Sequence, residues 1–159
     1  MRKIISFILA AVCLASCLSF VSCTGVVKNE AMTDYVYITK TGETLVGYLT
    51  DSTTAEADRK LAGDIFKKLG DGAGTEIKVT EYTLSESEIQ EAITSKKIDL
   101  VITVAASADA IEGTEKSSAY TIDGVEYVIL LRKDSDLTEK INNYISNHSA
   151  DITGFYGEE

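Results

Sequence analysis

The sequence predicts an α/β domain with one doubly wound, mostly parallel sheet of four to five strands between two layers of helices. Segments rich in β-branched residues alternate with segments whose apolar residues recur at helical spacing. The segment Ile98–Val104 is almost continuously apolar, which indicates a strand buried on both faces. With 159 residues, the chain is long enough for one domain with a hydrophobic core.

The first predicted strand, Thr44–Thr50, leads into a helix. Thr53–Glu56 has the spacing of a capping box, and apolar residues then recur until Gly70, where we expect the helix to stop in a left-handed conformation. A second strand is predicted at Glu76–Thr83. A second capping box, Ser85–Glu88, precedes a helix with one apolar stripe, made of Ile89, Ala92 and Ile93.

The second half of the chain continues this alternation. Residues 111–124 are polar and rich in turn-forming residues, and Gly124–Asp134 predicts a strong strand. A third helix follows, with a stripe made of Leu137, Ile141, Tyr144, Ile145 and His148, the last expected at the partly solvated helix end. A last turn is expected to pack back on the domain. Before the domain, Asp34–Lys40 alternates and predicts either a short strand or a loose spacer.

The N-terminal segment, residues 1–22, reads as a signal peptide, with Arg2 and Lys3 ahead of an apolar stretch that is short for a bilayer span. The three cysteines are Cys13, Cys17 and Cys23, and none occurs later in the chain. This pattern resembles a bacterial lipoprotein signal; the alternative is an ordinary secretory signal with incidental cysteines. We expect lipidation at Cys23, because the segment after it is polar; Cys17 is the alternative. The expected organisation is a signal peptide at 1–22, a tether at 23–42 and one α/β domain at 43–159.

Charge and composition argue against several functions. The formal net charge is −10, and removal of residues 1–22 takes it to −12, which disfavours nucleic acid as a partner. His148 is the only histidine, and we find no nucleophile–base pair, metal-ligand cluster or phosphate-binding loop. We therefore expect no enzyme activity, no cofactor and no metal.

The candidate ligand site lies at the carboxyl ends of the strands, where open α/β sheets bind ligands. Asp51, Ser52 and Thr53 follow the first strand, and Ser107 and Asp109 follow the third. Hydroxyl groups and free helix amides there suit a small polar ligand, although Ser52 could equally serve only as a helix cap. At the opposite end, Asp99 is expected to be a solvent-edge carboxylate near Lys96 or Lys97.

The order of four segments resembles a known family. These are ETLVGYLTD (43–51), LAGDIFKKLG (61–70), AITSKKIDLVITV (92–104) and SSAYTIDGVEYVILLRKDSDLTEKINNYI (117–145). They are similar to the extracytoplasmic solute-binding proteins of ABC importers, which have the type II periplasmic-binding fold, and most closely to the amino-acid-binding branch. The resemblance implies a ligand site at Asp51, Ser52, Thr103, Ser107 and Tyr120.

Two departures from that family affect the expected function. The strand at 125–132 runs directly into the last helices, so only one of the family's two lobes is expected. Residues 107–116 contain no Arg, the residue with which the family commonly holds a ligand carboxylate.

Two functions follow from the sequence and the resemblance. The first is a lipoprotein anchored on the extracytoplasmic face of a bacterial membrane that binds a small polar solute as a component of an ABC importer, with the permease as partner. The alternative is a one-lobed lipoprotein that binds another envelope protein through its open cleft face.

Overall fold

The structure is a computed structural model that describes residues 33–157. The predicted signal peptide and both candidate lipidation sites, Cys17 and Cys23, lie outside these residues. The helices are α1 (Asp34–Thr41), α2 (Ala55–Ala73), α3 (Ile89–Thr94), α4 (Ala105–Ala108), α5 (Leu137–Asn147) and α6 (Ser149–Tyr156). The strands are β1 (Glu43–Leu49), β2 (Lys78–Leu84), β3 (Leu100–Val104), β4 (Thr114–Lys116), β5 (Tyr120–Ile122) and β6 (Val125–Arg132).

All six strands form one sheet, in the order β2-β1-β3-β6-β4, with β5 also paired to β6. β1 pairs in parallel with β2 and with β3, whereas β6 is antiparallel to β3, β4 and β5. The predicted fold class is confirmed. The sheet exceeds the expected four to five strands because the turn-rich stretch before β6 contributes two strands of three residues each.

Helices cover both faces of the sheet, so the domain has three layers. One apolar cluster joins Val46, Leu100 and Ile129 to α1, α2, α5 and α6. A second cluster, on the other face, joins Val101 and Leu130 to α3 and α4. Four of the five residues of β3 are buried, as the apolar run predicts for a strand covered on both sides. No helix within residues 33–157 has the length and apolar character that crossing a bilayer requires.

The prediction for the segment before β1 is wrong. Residues 34–41 form a helix, α1, that ends at Gly42 with a φ of 68°, and not a strand or a spacer. Ile38 is 1% exposed and belongs to the core. The buried Asp34 carboxylate accepts hydrogen bonds from Arg132 and Ser135. Part of the expected tether therefore packs on the domain.

The ends of α2 also differ from the prediction. Its N-terminus has no side-chain capping hydrogen bond, and its C-terminus lies at Ala73, followed by Gly74 with a φ of 67°. Gly70 is therefore inside the helix and not its left-handed stop. The capping box at Ser85–Glu88, by contrast, is confirmed, and its hydrogen bonds hold the pKa of Glu88 below its usual value.

Asp99 has the expected position but not the expected surroundings. Its side chain is buried, and the carboxylate accepts hydrogen bonds from Thr44 Oγ1 at 3.0 Å and from the Leu45 amide at 2.9 Å. The Asp99 amide donates to the Leu45 carbonyl at 2.7 Å. Asp99 thus joins the start of β3 to β1 within the fold, and it is not a solvent-edge residue.

Candidate functional site

A cavity of about 260 Å³ lies at the carboxyl ends of the parallel strands. It is open to solvent and is bounded by the ends of β1 and β3, the loop into α2, the turn after β2 and one side chain of β6. This is the rim at which ligands bind in open α/β sheets. Its lining residues are Leu49, Thr50, Asp51, Ser52, Thr53, Thr54, Asp58, Ser85, Glu86, Ile102, Thr103, Val104, Ser107 and Tyr127.

Strand pairing brings these residues together. β1 and β3 are parallel neighbours, so their last residues, Leu49 and Val104, lie at the same end of the sheet. Val104 is the register partner of Tyr127 on β6, which brings an aromatic ring into the cavity wall. On the β2 side, the Thr50 amide and hydroxyl both donate to the Leu84 carbonyl, at 3.0 and 3.1 Å.

The loop between β1 and α2 is held by side chains. Ser52 Oγ donates to Asp58 Oδ2 at 3.2 Å, and Thr54 Oγ1 donates to the same oxygen at 3.1 Å. The two hydroxyl oxygens are themselves 3.0 Å apart. These contacts replace the expected capping box: the hydroxyl groups donate to a carboxylate in the first turn of α2 and do not cap the helix amides.

The other oxygen of Asp58 is bound from the opposite side. The Tyr156 hydroxyl, on α6, donates to Asp58 Oδ1 at 2.6 Å, and it lies 3.1 Å from the Tyr120 hydroxyl. Asp58 is only 4% exposed. Burial raises the pKa of the Asp58 carboxyl, although the hydrogen bonds from Tyr156, Thr54 and Ser52 act in the opposite direction. Burial and the nearby Asp58 charge also raise the pKa of Tyr156.

Four of the five candidate site residues line the cavity: Asp51, Ser52, Thr103 and Ser107. Tyr120 does not. Its ring stacks on Tyr127, with the centroids 5.9 Å apart, and its hydroxyl reaches the site only through Tyr156. Burial raises the pKa of Tyr120. Tyr120 thus lies behind the cavity wall and not in the cavity lining.

Sequence reasoning missed three prominent lining residues: Asp58, Glu86 and Tyr127. Glu86 follows the β2 strand, and the rule that placed Asp51 and Ser107 at the carboxyl ends could also have found it. Asp58 and Tyr127 are recognisable only once the helix and the antiparallel strand have been placed.

The charged residues in the cavity lining are all acidic: Asp51, Asp58 and Glu86. The lining includes no Lys, Arg or His from residues 33–157. Arg59, next to Asp58 in the chain, lies outside the lining; its Nε donates to Glu81 at 2.8 Å, and its guanidinium stands 5.0 Å from the Tyr48 ring. Within the same residues, no group of three or more His, Cys, Asp or Glu is placed to hold a metal ion.

The chain matches no protein-family model. It also matches no curated protein sequence. Solved structures do share its fold. A mutant of the arginine-bound form of domain 1 from TmArgBP is similar over 73% of this chain and 98% of that one, with a TM-score of 0.53 and 23% identity.

Two further structures are similar at lower identity. An ABC uptake transporter substrate-binding protein from Streptococcus pneumoniae with bound histidine covers 80% of this chain and 97% of its own, with a TM-score of 0.59 and 11% identity. A solute receptor for L-cysteine from Neisseria gonorrhoeae covers 79% and 92%, with a TM-score of 0.59 and 12% identity. Residues 33–157 thus have the fold of one lobe of a periplasmic solute-binding protein.

Proposed function

We propose that this chain is an extracytoplasmic solute-binding protein that holds a small polar solute in the cavity at the carboxyl ends of β1 and β3. The observation that carries the proposal is the convergence of Asp51, Ser52, Thr103 and Ser107 on one cavity. Asp51 and Ser52 follow β1, Thr103 lies in β3, and Ser107 follows β3. Polar side chains around a concave, partly apolar surface are the common composition of small-ligand sites.

The similar structures support a single lobe as a binding unit. The similar TmArgBP structure is of domain 1 alone, in an arginine-bound form. The other two similar proteins are described as a substrate-binding protein with bound histidine and a solute receptor for L-cysteine. These likenesses support a binding protein for amino-acid-sized solutes and not an enzyme.

The proposal extends to the rest of the chain. We place the protein on the extracytoplasmic face of a bacterial membrane, attached through a lipid on Cys23, with Cys17 as the alternative, after removal of a signal peptide. Acyl chains would hold the domain at the surface without a spanning helix. An ABC permease is the proposed partner for delivery of the solute.

The alternative, binding of a protein partner through the open cleft face, has less support. Within residues 33–157 the large exposed apolar side chains are Val36, Leu45, Tyr82 and Val125, and they belong to four different elements. None of them lines the cavity. A docking face would instead present a contiguous apolar patch.

Thermal denaturation in the presence of a panel of amino acids, amines, sugars and small acids tests the proposal. A solute that binds only the native state stabilises it, by about 2.7 kcal/mol at a concentration one hundred times its Kd. We expect at least one solute to raise the Tm of the chain in proportion to the logarithm of its concentration.

A matched pair of variants locates the binding. Ser107→Ala removes a hydroxyl from the cavity lining, and Ser118→Ala removes an exposed hydroxyl outside it. Loss of one ligand hydrogen bond costs about 0.5–1.5 kcal/mol, so Ser107→Ala should weaken binding by roughly two- to thirteenfold and Ser118→Ala should leave it unchanged. A panel without any stabilising solute, or equal effects of the two variants, would contradict the proposed site.

A further inference from the structure

We propose that the cavity selects a small organic cation, with a primary ammonium or guanidinium group and without a free carboxylate. This inference rests on the proposed function, because it names the class of solute that the same cavity would hold. Three features of the described residues carry it: a buried carboxylate whose hydrogen bonds all come from neutral hydroxyl groups, acidic side chains at the cavity rim, and an aromatic wall.

Asp58 is the buried carboxylate. Its hydrogen-bond partners are the neutral hydroxyl groups of Ser52, Thr54 and Tyr156, at 2.6–3.2 Å. Arg59, the adjacent cation, is engaged by Glu81 on the surface of the domain. A buried charge is stable when it is paired and hydrogen-bonded. Here the hydrogen bonds are present, but the charge of Arg59 lowers the pKa of Asp58 less than any of those hydrogen bonds does. A cation in the cavity would supply a further opposite charge.

The rim adds to the negative potential. Asp51 and Glu86, both exposed, face the cavity from the ends of β1 and β2, and neither has a cation beside it in the lining. A ligand carboxylate in this cavity would be repelled by the carboxylates of Asp51, Asp58 and Glu86. A cleft lined by one sign of charge raises the local concentration of the opposite charge.

Tyr127 provides the wall for the apolar part of such a cation. Its ring lines the cavity and is fixed from behind by Tyr120 and Tyr156, with centroid distances of 5.9 and 5.7 Å. An aromatic face attracts an ammonium or guanidinium group electrostatically. The volume of about 260 Å³ falls just below the range of about 300–1,000 Å³ typical of drug-sized ligands, so the solute should be small.

Isothermal titration calorimetry with three probes separates charge from size. Agmatine and arginine share a guanidinium and a carbon chain, but only arginine has a carboxylate; glutarate has carboxylates alone. We expect agmatine to bind at least tenfold more tightly than arginine, and glutarate not to bind. Cadaverine and lysine form a second pair in which only lysine has a carboxylate. We expect cadaverine to bind more tightly than lysine.

The role of Asp58 is tested with two amide variants on one helix. Asp58→Asn removes the buried charge from the cavity, whereas Asp64→Asn removes a charge that accepts a hydrogen bond from Tyr144 outside the cavity. We expect Asp58→Asn to weaken agmatine binding tenfold or more and Asp64→Asn to change it less than twofold. Should Asp58→Asn fail to fold by circular dichroism, Asp51→Asn at the exposed rim serves as the second variant, with an expected loss of two- to fivefold.

The outcomes distinguish this inference from the proposed function. Arginine binding as tightly as agmatine, or any binding of glutarate, overturns the selection of cations and leaves a solute-binding cavity in place. Binding of a neutral sugar from the thermal panel, without binding of the amines, would also overturn the selection of cations and leave the solute-binding cavity in place. If neither these probes nor the panel bind, the proposed function fails, and the inference fails with it.

Discussion

Two glycines of α2 differ in what surrounds them. A Cβ on Gly70 would lie 2.3 Å from the Thr75 carbonyl oxygen, whereas a Cβ on Gly63 would have no atom within 4 Å. Both are inside the helix, where Gly is about 0.5–1 kcal/mol less favourable than Ala. Gly70 thus serves the close approach of the following loop, and not the left-handed helix stop that its position after Lys-Leu suggested.

The two positions therefore predict opposite effects of one substitution. Gly63→Ala should raise the free energy of unfolding by about 0.5–1 kcal/mol, because it removes backbone freedom from the unfolded chain. Gly70→Ala should lower it by about 1–3 kcal/mol, because the new methyl group overlaps backbone that must move. Urea denaturation monitored by circular dichroism measures both. Equal effects of the two substitutions would contradict the packing at Thr75.

Individual site residues were predictable to different degrees. Asp51, Ser52 and Ser107 follow strands, and the position of a polar residue after a parallel strand is enough to place it at the rim. Asp58 was not predictable, because an acid in the first turn of a helix usually interacts with the helix dipole and solvent. Its burial depends on Tyr156, 98 residues away in the chain. Tyrosines from β5, β6 and α6 pack together, and of these three only Tyr127 lines the cavity, an arrangement that the local sequence around Tyr120 does not reveal.

At the scale of elements, α1 is where local sequence and structure disagree most. Asp34–Lys40 is rich in β-branched and aromatic residues, which favour strands. Tertiary contacts outweigh that preference: Ile38 enters the core, Asp34 binds Arg132 and Ser135, and the Tyr35 amide donates to Asp136 at 2.9 Å. A contact between residue 35 and residue 136 leaves no trace in the local pattern.

If α1 belongs to the domain, its two faces should differ in sensitivity. Ile38→Ala should lower the free energy of unfolding by about 2–5 kcal/mol, as removal of a buried aliphatic side chain usually does. Val36→Ala, on the exposed face of the same helix, should change it by less than about 0.5 kcal/mol. Chemical denaturation of both variants compares them. A negligible effect of Ile38→Ala would mean that α1 is a tether after all.

For the whole molecule, the sequence predicted the layers and the direction of the first three strands well. A strand buried on both faces is continuously apolar, as β3 is, and the apolar stripe of each connecting helix predicts that helix. The antiparallel entry of β6 beside β3 could not be derived this way, because neighbouring strands in a sheet need not be neighbours in sequence. That insertion is what places Tyr127 beside Val104 and completes the cavity.

The central claim is that the ends of β1 and β3 form one solute site. Amide ¹H–¹⁵N correlation spectra of the isotope-labelled chain, recorded during titration with the solute that gives the largest thermal shift, test it most directly. We expect concentration-dependent shifts at residues 50–54, 85–86, 103–107 and 127. Little change is expected at residues 118–122, 145, 146, 149, 152 and 153, which line a separate surface depression. Shifts concentrated in the second group, or scattered over the surface without saturation, would contradict the account.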